Sequence, residues 1–273
     1  GVDKVEKKGE GFKVIFKDGN SRLCDKLILT TGGHAYRSTG SSGDGYSFAQ
    51  SLGHSISELA ATLTSFSAKE KWVKDLAGVS VQDAKLKMGG SEFVGPILFT
   101  HKGVTGPGIF ALSSLSAFAQ CSKEEPLNLS IDFVNGKNYE ALTEEIYRKR
   151  VGGKTLLKVL NGYVPKSILA VIFRLLEMDG TRRADEVAKK DINRCVEYLK
   201  NFSVTLTERT PGAEIVTAGG VDLKEVNQKT MESKICPGLY FAGELLDVDG
   251  FTGGYNLQIA WATGRLAGLS ALG

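Results

Sequence analysis

The sequence holds three histidines and four cysteines in 273 residues, and their placement excludes several kinds of chemistry. His34, His54 and His101 share no metal-ligand spacing, so no metal site is expected. Cys24, Cys121, Cys195 and Cys236 are far apart, and no C-x-x-C pair exists for a redox-active disulfide or a zinc knuckle. Each cysteine lies in an apolar or strand-like stretch, the setting of a buried, reduced thiol in a cytoplasmic protein. No apolar run reaches membrane-spanning length and no signal peptide is visible, so no membrane partner is expected. An excess of one charge is also missing. The 34 Lys and Arg face 31 Asp and Glu, a net charge of +3, which gives no reason to expect nucleic acid. Ser113, Ser114 and Ser116 have no base in a nucleophile-elbow context, which argues against a serine hydrolase. There is no internal repeat or low-complexity tract. The chain opens Gly1-Val2-Asp3 without methionine and already reads as the middle of a sheet, so it is expected to be a truncated piece of a longer protein.

What is present suits a globular chain of more than one domain: 42% hydrophobic and 24% charged residues over 273 positions. Phe12–Phe16 and Arg22–Leu29 read as two strands joined through Lys17-Asp18-Gly19-Asn20, a hairpin signal. The second runs into Thr30-Thr31-Gly32-Gly33. A Gly- and Ser-rich loop leads to a helix from Gly45 to Leu52 closed by Gly53, with His54 just beyond as a cap or structural residue. Strands are predicted at Ile56–Thr62, Val79–Met88, Phe93–Thr100 and Leu127–Phe133. Pro107 sits in the first turn of a helix through Leu112, Leu115 and Phe118. Residues 138–201 read as helical: one helix from Glu140 to Arg150, one opened by Pro165, and a stripe through Ala184, Val187, Ala188, Ile192, Cys195 and Leu199. Phe202–Thr207 and Ala213–Thr217 return to strand.

The block from Leu239 to Gln258 carries the strongest chemical signal. It reads as a short apolar strand, an acidic glycine-rich turn holding Gly243, Glu244, Asp249 and Gly253-Gly254, then a helix through Ala260, Leu266 and Leu269. A strand that delivers N–H groups and a carboxylate to a helix N-terminus suits a polar, negatively charged cofactor. Gly253 and Gly254 let backbone approach closely. Glu244 or Asp249 offers an acceptor for ligand hydroxyls. The competing reading is a plain strand–turn–helix whose glycines serve packing.

These residues, with others upstream, resemble the BaiN-like flavoproteins, NAD(P)/FAD-dependent or aminoacetone-oxidase-like oxidoreductases. The resemblance rests on Thr217–Val221, Thr230–Lys234, Pro237–Glu244 and Gly250–Asn256, together with Thr30–Gly33, Thr39–Tyr46, Leu52–His54 and Phe99–Pro107, in order along the chain. It implies an α+β, multi-domain fold in which a Rossmann-like FAD domain is interrupted by a β-barrel-like domain and a small helical domain. The corresponding boundaries are 1–57 with 218–273 for a partial FAD-binding domain, 58–137 with 202–217 for the β-rich insertion, and 138–201 for the helical subdomain. It also implies that Thr31, Gly32 and Gly33 pass near the dinucleotide, that Gly243 and Glu244 lie near its pyrophosphate and ribitol, and that Gly253, Gly254, Tyr255 and Asn256 lie under the flavin ring.

One departure stands out. Such flavoproteins open with a strand, a G-x-G-x-x-G turn and a helix that hold the ADP moiety. This sequence has none, and Gly43-Asp44-Gly45 neither follows a strand directly nor supplies the third glycine. The expectation is therefore a bacterial, cytoplasmic FAD-dependent oxidoreductase, represented by a piece that lacks its ADP-binding unit. Its parent would pass hydride from NAD(P)H through flavin to a small organic substrate or oxygen. One alternative is a piece that is cofactor-free and inert, another a flavoprotein acting on tRNA. His101 and Tyr255 are the catalytic candidates: His101 either approaches a substrate over the flavin or is a structural turn histidine, and Tyr255 either donates a proton at the ring edge or packs there. Tyr36 and Arg37 either bind substrate or cover a domain junction.

Overall fold

The computed structural model describes residues 1–273, which divide into two compact units, Gly1–Leu63 with Gly212–Gly273 and Thr64–Pro211. The first unit opens with an antiparallel meander of β1 (Val2–Lys8), β2 (Gly11–Phe16) and β3 (Ser21–Cys24). Its hairpin turns where expected, with Gly19 at φ +84° and the Asn20 N–H donating to Asp18 Oδ1 at 3.0 Å. The strand expected to run from Arg22 to Leu29 is instead two. β3 pairs with β2, the chain breaks at Asp25-Lys26, and β4 (Leu27–Leu29) joins a different sheet. Apolar texture is continuous there, but texture does not say which neighbour a strand will pair with. Leu23 is 69% exposed while Leu29 is buried. α1 (Asp44–Ser51) is closed by Gly53 at φ +95° and by the His54 N–H donating to Ala49 O at 3.0 Å. The strand expected over Ile56–Thr62 shrinks to β5 (Ala60–Thr62). Ile56 makes only a lone bridge to Val221, and Ser57 turns aside to bond Gly220.

The second unit is built on a barrel. Its elements are β6 (Phe66–Ala68), β7 (Ser80–Met88), β8 (Ser91–Phe99), β9 (Gly103–Thr105), α2 (Pro107–Leu115), β10 (Leu127–Asp132), α3 (Tyr139–Lys149), α4 (Leu156–Leu160), α5 (Lys166–Leu176), α6 (Lys189–Lys200) and β11 (Phe202–Arg209). The six strands close in the order β10-β11-β6-β9-β8-β7, which leaves no free sheet edge. Alternate residues fill the interior: Leu86, Ile97, Phe99, Leu129, Ile131, Val204 and Leu206 are fully buried and belong to one core with the apolar stripes of α3 to α6. α2 lies tight on the barrel because Gly108 has no side chain; a Cβ there would stand 2.6 Å from Leu86 Cδ1. This helix stops at Leu115 rather than Phe118, since the Ser116 hydroxyl donates back to Leu112 O and ends it. The third stripe also needs correcting. Ala184–Glu186 form a single 3₁₀ turn and Val187 and Ala188 are extended, so α6 begins only at Lys189. Strands β6 and β9 and helix α4, of three, three and five residues, are too short for a hydrophobic period to register.

Returning to the first unit, β12 (Val216–Ala218) pairs antiparallel with β5, and β13 (Leu239–Phe241) pairs parallel with β4. The chain then runs into α7 (Tyr255–Leu272), where Ala267 is the one buried residue of eighteen and Leu257, Trp261 and Leu269 are exposed. The expected α+β mixture with a barrel is what the chain forms. No helix is long and apolar enough to cross a membrane. Of the four thiols only Cys195 and Cys236 are buried; Cys24 and Cys121 are half-buried, at the margins of their cores.

Candidate functional site

Parallel pairing of β4 with β13 sends both strands out on the same side of their sheet, where α/β folds hold ligands. Thr31, Gly32 and Gly33 follow β4, and Gly243 and Glu244 follow β13, so the pairing brings the two predicted sets together. Gly33 shows how closely they meet. A Cβ on it would stand 2.6 Å from Glu244 Oε1 and 2.7 Å from Thr217 Oγ1. Glu244 Oε1 accepts a hydrogen bond from the Thr217 N–H at 2.7 Å, and Thr217 Oγ1 accepts one from the His34 N–H at 2.7 Å. Burial pushes the Glu244 carboxyl above its usual range, opposed by the Thr217 hydrogen bonds and helped by Asp249. Asp249 is raised by burial and by the neighbouring Asp247 charge. Thr31 is exposed and serves packing as well: a Cβ on Gly45 would fall 1.9 Å from its Oγ1.

The start of α7 forms the other wall. Gly253 and Gly254 take φ +119° and +89°, and no side chain caps the helix. The first helical bond runs from the Gln258 N–H to Gly254 O, which leaves the N–H groups of Tyr255, Asn256 and Leu257 without helical partners. Asn256 is spent on the loop: its Oδ1 accepts from the Gly250 N–H at 2.9 Å and its Nδ2 donates to Gly250 O at 2.7 Å. Gly243 is tied to the same helix, its N–H donating to Thr263 Oγ1 at 3.0 Å.

Between these walls lies a cavity of about 480 Å³ lined by Tyr36, Val216, Glu244, Gly253, Gly254 and Asn256 among others. That volume is in the usual range for a small-molecule site. Of the predicted residues, Glu244, Gly253, Gly254 and Asn256 reach it. Thr31, Gly32, Gly33, Gly243 and Asp249 do not line it, and Tyr255 is 62% exposed at the start of α7. His101 belongs to the other unit, exposed in the turn between β8 and β9. Sequence reasoning missed Thr217 as a support for Glu244 and the apolar wall of Leu63, Ile215 and Val216. The Thr-Ala-Gly-Gly run was the available signal for the former.

A second constellation has the form of a nucleophilic triad and a different role. His54 Nε2 lies 2.8 Å from Ser233 Oγ and Nδ1 lies 3.1 Å from Glu225 Oε2. Ser233 Oγ already accepts the Ile235 and Cys236 N–H groups at 3.0 and 2.7 Å, so its own hydrogen points to Nε2 and Nδ1 carries the imidazole proton. Ser233 is 6% exposed and has no lone pair left for attack. The trio is a clamp on the end of α1, with the imidazole edge on Phe241 at 4.7 Å.

Comparison with known proteins places this geometry among relatives. A family model described as HI0933-like protein Rossmann domain matches residues 1–270. The chain is 34% identical over 282 residues to the 3-dehydro-bile acid delta(4,6)-reductase of Clostridium scindens, covering 99% of this chain and 67% of that protein. It is 33% identical to the ribosomal RNA dihydrouridine synthase of Haemophilus influenzae, covering 98% and 66%, and 31% identical to the protein of the same name in Escherichia coli, covering 95% and 63%. The chain thus spans about two thirds of the length of the curated relatives it matches.

Proposed function

This chain belongs to the HI0933-like Rossmann-domain family, and on that premise we propose that the cavity between Glu244 and the start of α7 receives the isoalloxazine end of FAD in an oxidoreductase. One observation carries the reading: an uncapped helix N-terminus, two left-handed glycines and a half-buried carboxylate converge on a single cavity of ligand size. The residues fit the group. At Gly254 a Cβ would meet nothing within 4 Å, so a flat ring has room against the backbone. When bound, the flavin supplies hydride acceptance and donation. The free N–H groups at the start of α7 then stabilise negative charge at that wall, through the helix dipole and direct donation. Glu244, held by Thr217, accepts a hydrogen bond from a ligand hydroxyl. Asn256 keeps the Gly250–Gly254 loop in shape.

The substrate is a conjugated C=C bond in a ring. The names of the relatives support this, since a delta(4,6)-reductase and a dihydrouridine synthase both denote saturation of a ring double bond. A reduced nicotinamide is the proposed source of hydride. The ADP half of the cofactor is assigned to sequence of the full-length protein outside this chain, and the exposed apolar face of α7 at Leu257, Trp261 and Leu269 supports a covering segment there. Adding FAD to this chain and to the full-length protein tests the reading. A flavin band near ~450 nm after desalting is expected for the full-length protein. A colourless full-length protein would overturn it. RNA as substrate is the second reading, favoured by the two ribosomal RNA relatives. Reduction of uridine in naked ribosomal RNA by the full-length protein with NADPH separates it from a small-molecule enzyme.

A further inference from the structure

Successive residues of β12 face opposite ways, so Val216 lines the larger cavity while Thr217 lines a second one of about 180 Å³. The second cavity is bounded by His34, Arg37, Glu214 and Thr217 around the small side chains of Ala60 and Ala61. The loop above it divides in the same manner. Tyr36, at φ 52° and ψ 48°, adopts a left-handed conformation that residues with a Cβ rarely take. This twist puts Tyr36 on the larger cavity and its neighbours His34 and Arg37 on the smaller. A strained backbone of this kind persists where its surroundings fix it. Here Thr39 bonds Tyr36 O through both N–H and hydroxyl at 2.8 Å, Ser41 Oγ donates to Gly33 O at 2.9 Å, and Ala35 is buried.

Three charged or titratable side chains therefore share one small cavity, and none has a partner. The Arg37 guanidinium, the His34 imidazole and the Glu214 carboxylate make no hydrogen bond or ion pair, with one another or with any other residue. Arginine and glutamate that line one cavity without closing on each other leave space for a group that satisfies both. Such a group presents an anion to Arg37 and His34 and a hydroxyl donor to Glu214. The cavity is too small for a whole nucleotide or steroid, whose sites usually exceed about 300 Å³, and the right scale for one substituent.

We propose that this cavity is a subsite for a phosphorylated ribose, its phosphate held by Arg37 and His34 and its neighbouring hydroxyl donating to Glu214. Arginine offers a planar fork of donors that matches phosphate, and imidazole donates an N–H in either charge state. Two sources carry this chemistry: a dinucleotide reductant with a ribose 2′-phosphate, and an RNA backbone. The inference stands apart from the flavin reading, because no atom of the larger cavity takes part in it.

The three histidines make the test direct. In the full chain labelled at histidine, the imidazole signals are assigned with His54→Gln and His101→Asn, and the protein is titrated with adenosine 2′-monophosphate. The His34 signal is expected to shift saturably while exposed His101 serves as reference. Arg37→Ala should weaken the midpoint about tenfold or more, the loss of one charge-assisted contact. Glu214→Gln should weaken adenosine 2′-monophosphate and leave inorganic phosphate unchanged. Tighter binding of adenosine 2′-monophosphate than of the dinucleoside monophosphate ApA assigns the dinucleotide, and the reverse order assigns RNA. Movement of His34 no larger than that of His101 with every probe overturns the subsite, as does an unchanged midpoint in Arg37→Ala. An equal effect of Glu214→Gln on both phosphates overturns the hydroxyl contact.

Discussion

Glu244 Oε1 lies 2.7 Å from the Thr217 nitrogen, and this hydrogen bond fixes a partly buried carboxylate at the edge of the larger cavity. Removing the carboxylate should leave the Thr217 N–H unsatisfied where water reaches it poorly, since Thr217 is buried. Glu244→Ala is expected to cost about 1–3 kcal/mol of unfolding free energy. Glu244→Gln keeps an acceptor oxygen and should cost less. Denaturant titration of the three proteins checks the order, and equal stability of Glu244→Ala and wild type would count against the bond.

Gly33 gives a steric counterpart. Its missing Cβ would fall within 2.7 Å of both Glu244 Oε1 and Thr217 Oγ1. Gly33→Ala should destabilise by about 1–3 kcal/mol through overpacking and displace Glu244 from its cavity. Gly162→Ala is the control, because a Cβ there meets nothing within 4 Å. Thermal melts should separate the two variants, with Gly162→Ala close to wild type.

The clamp on α1 predicts a pH dependence. Burial holds the His54 imidazole below its ordinary 6.5, against the pull of Glu225. In the unfolded chain the same imidazole takes up a proton as pH falls through about 6.5. The unfolded state then binds more protons than the folded one, so this contribution to stability is whole above about pH 6.5 and declines below it. Melting temperature should drop between about pH 7 and pH 5 in wild type. His54→Gln should start lower and lose less over that interval. Parallel slopes would exclude His54 as the source.

Barrel closure makes a fourth prediction. Ile131 is fully buried on β10 inside a core shared with four helices. Ile131→Ala should cost about 2–5 kcal/mol. Val94, 49% exposed on β8, should tolerate alanine within about 0.5 kcal/mol. A urea titration followed by circular dichroism reads both.

Local periodicity made the long elements legible: β7, β8, β10, β11, α3 and α5 lie close to where alternation and helical stripes put them. What local pattern could not supply was pairing. The run from Arg22 to Leu29 looks like one strand, yet its halves serve two sheets because Leu27 finds its ladder partner at Leu239. Short elements escaped for a related reason, since three residues of β6 or β9 hold too little period to distinguish strand from loop. At the site, Gly253, Gly254 and Glu244 were readable because glycine and acid in a turn before a helix are unusual. Asn256 was readable only as a polar residue, because its service to Gly250 depends on how the loop folds back on the helix start. The Ser233–His54–Glu225 clamp was illegible, its members being far apart in sequence with no motif between them.

The parallel ladder of Leu27–Leu29 with Leu239–Phe241 has a consequence for synthesis. Thr64–Pro211 is continuous in sequence and carries its own core, so it can fold as soon as it has left the ribosome. The flanking unit waits until residue 241 has been made. Until then the segment Leu27–Leu29 lacks its only strand partner, and its open edge is a target for other chains. Arrest of translation between residues 211 and 239 should therefore yield a protease-resistant middle and a protease-sensitive beginning.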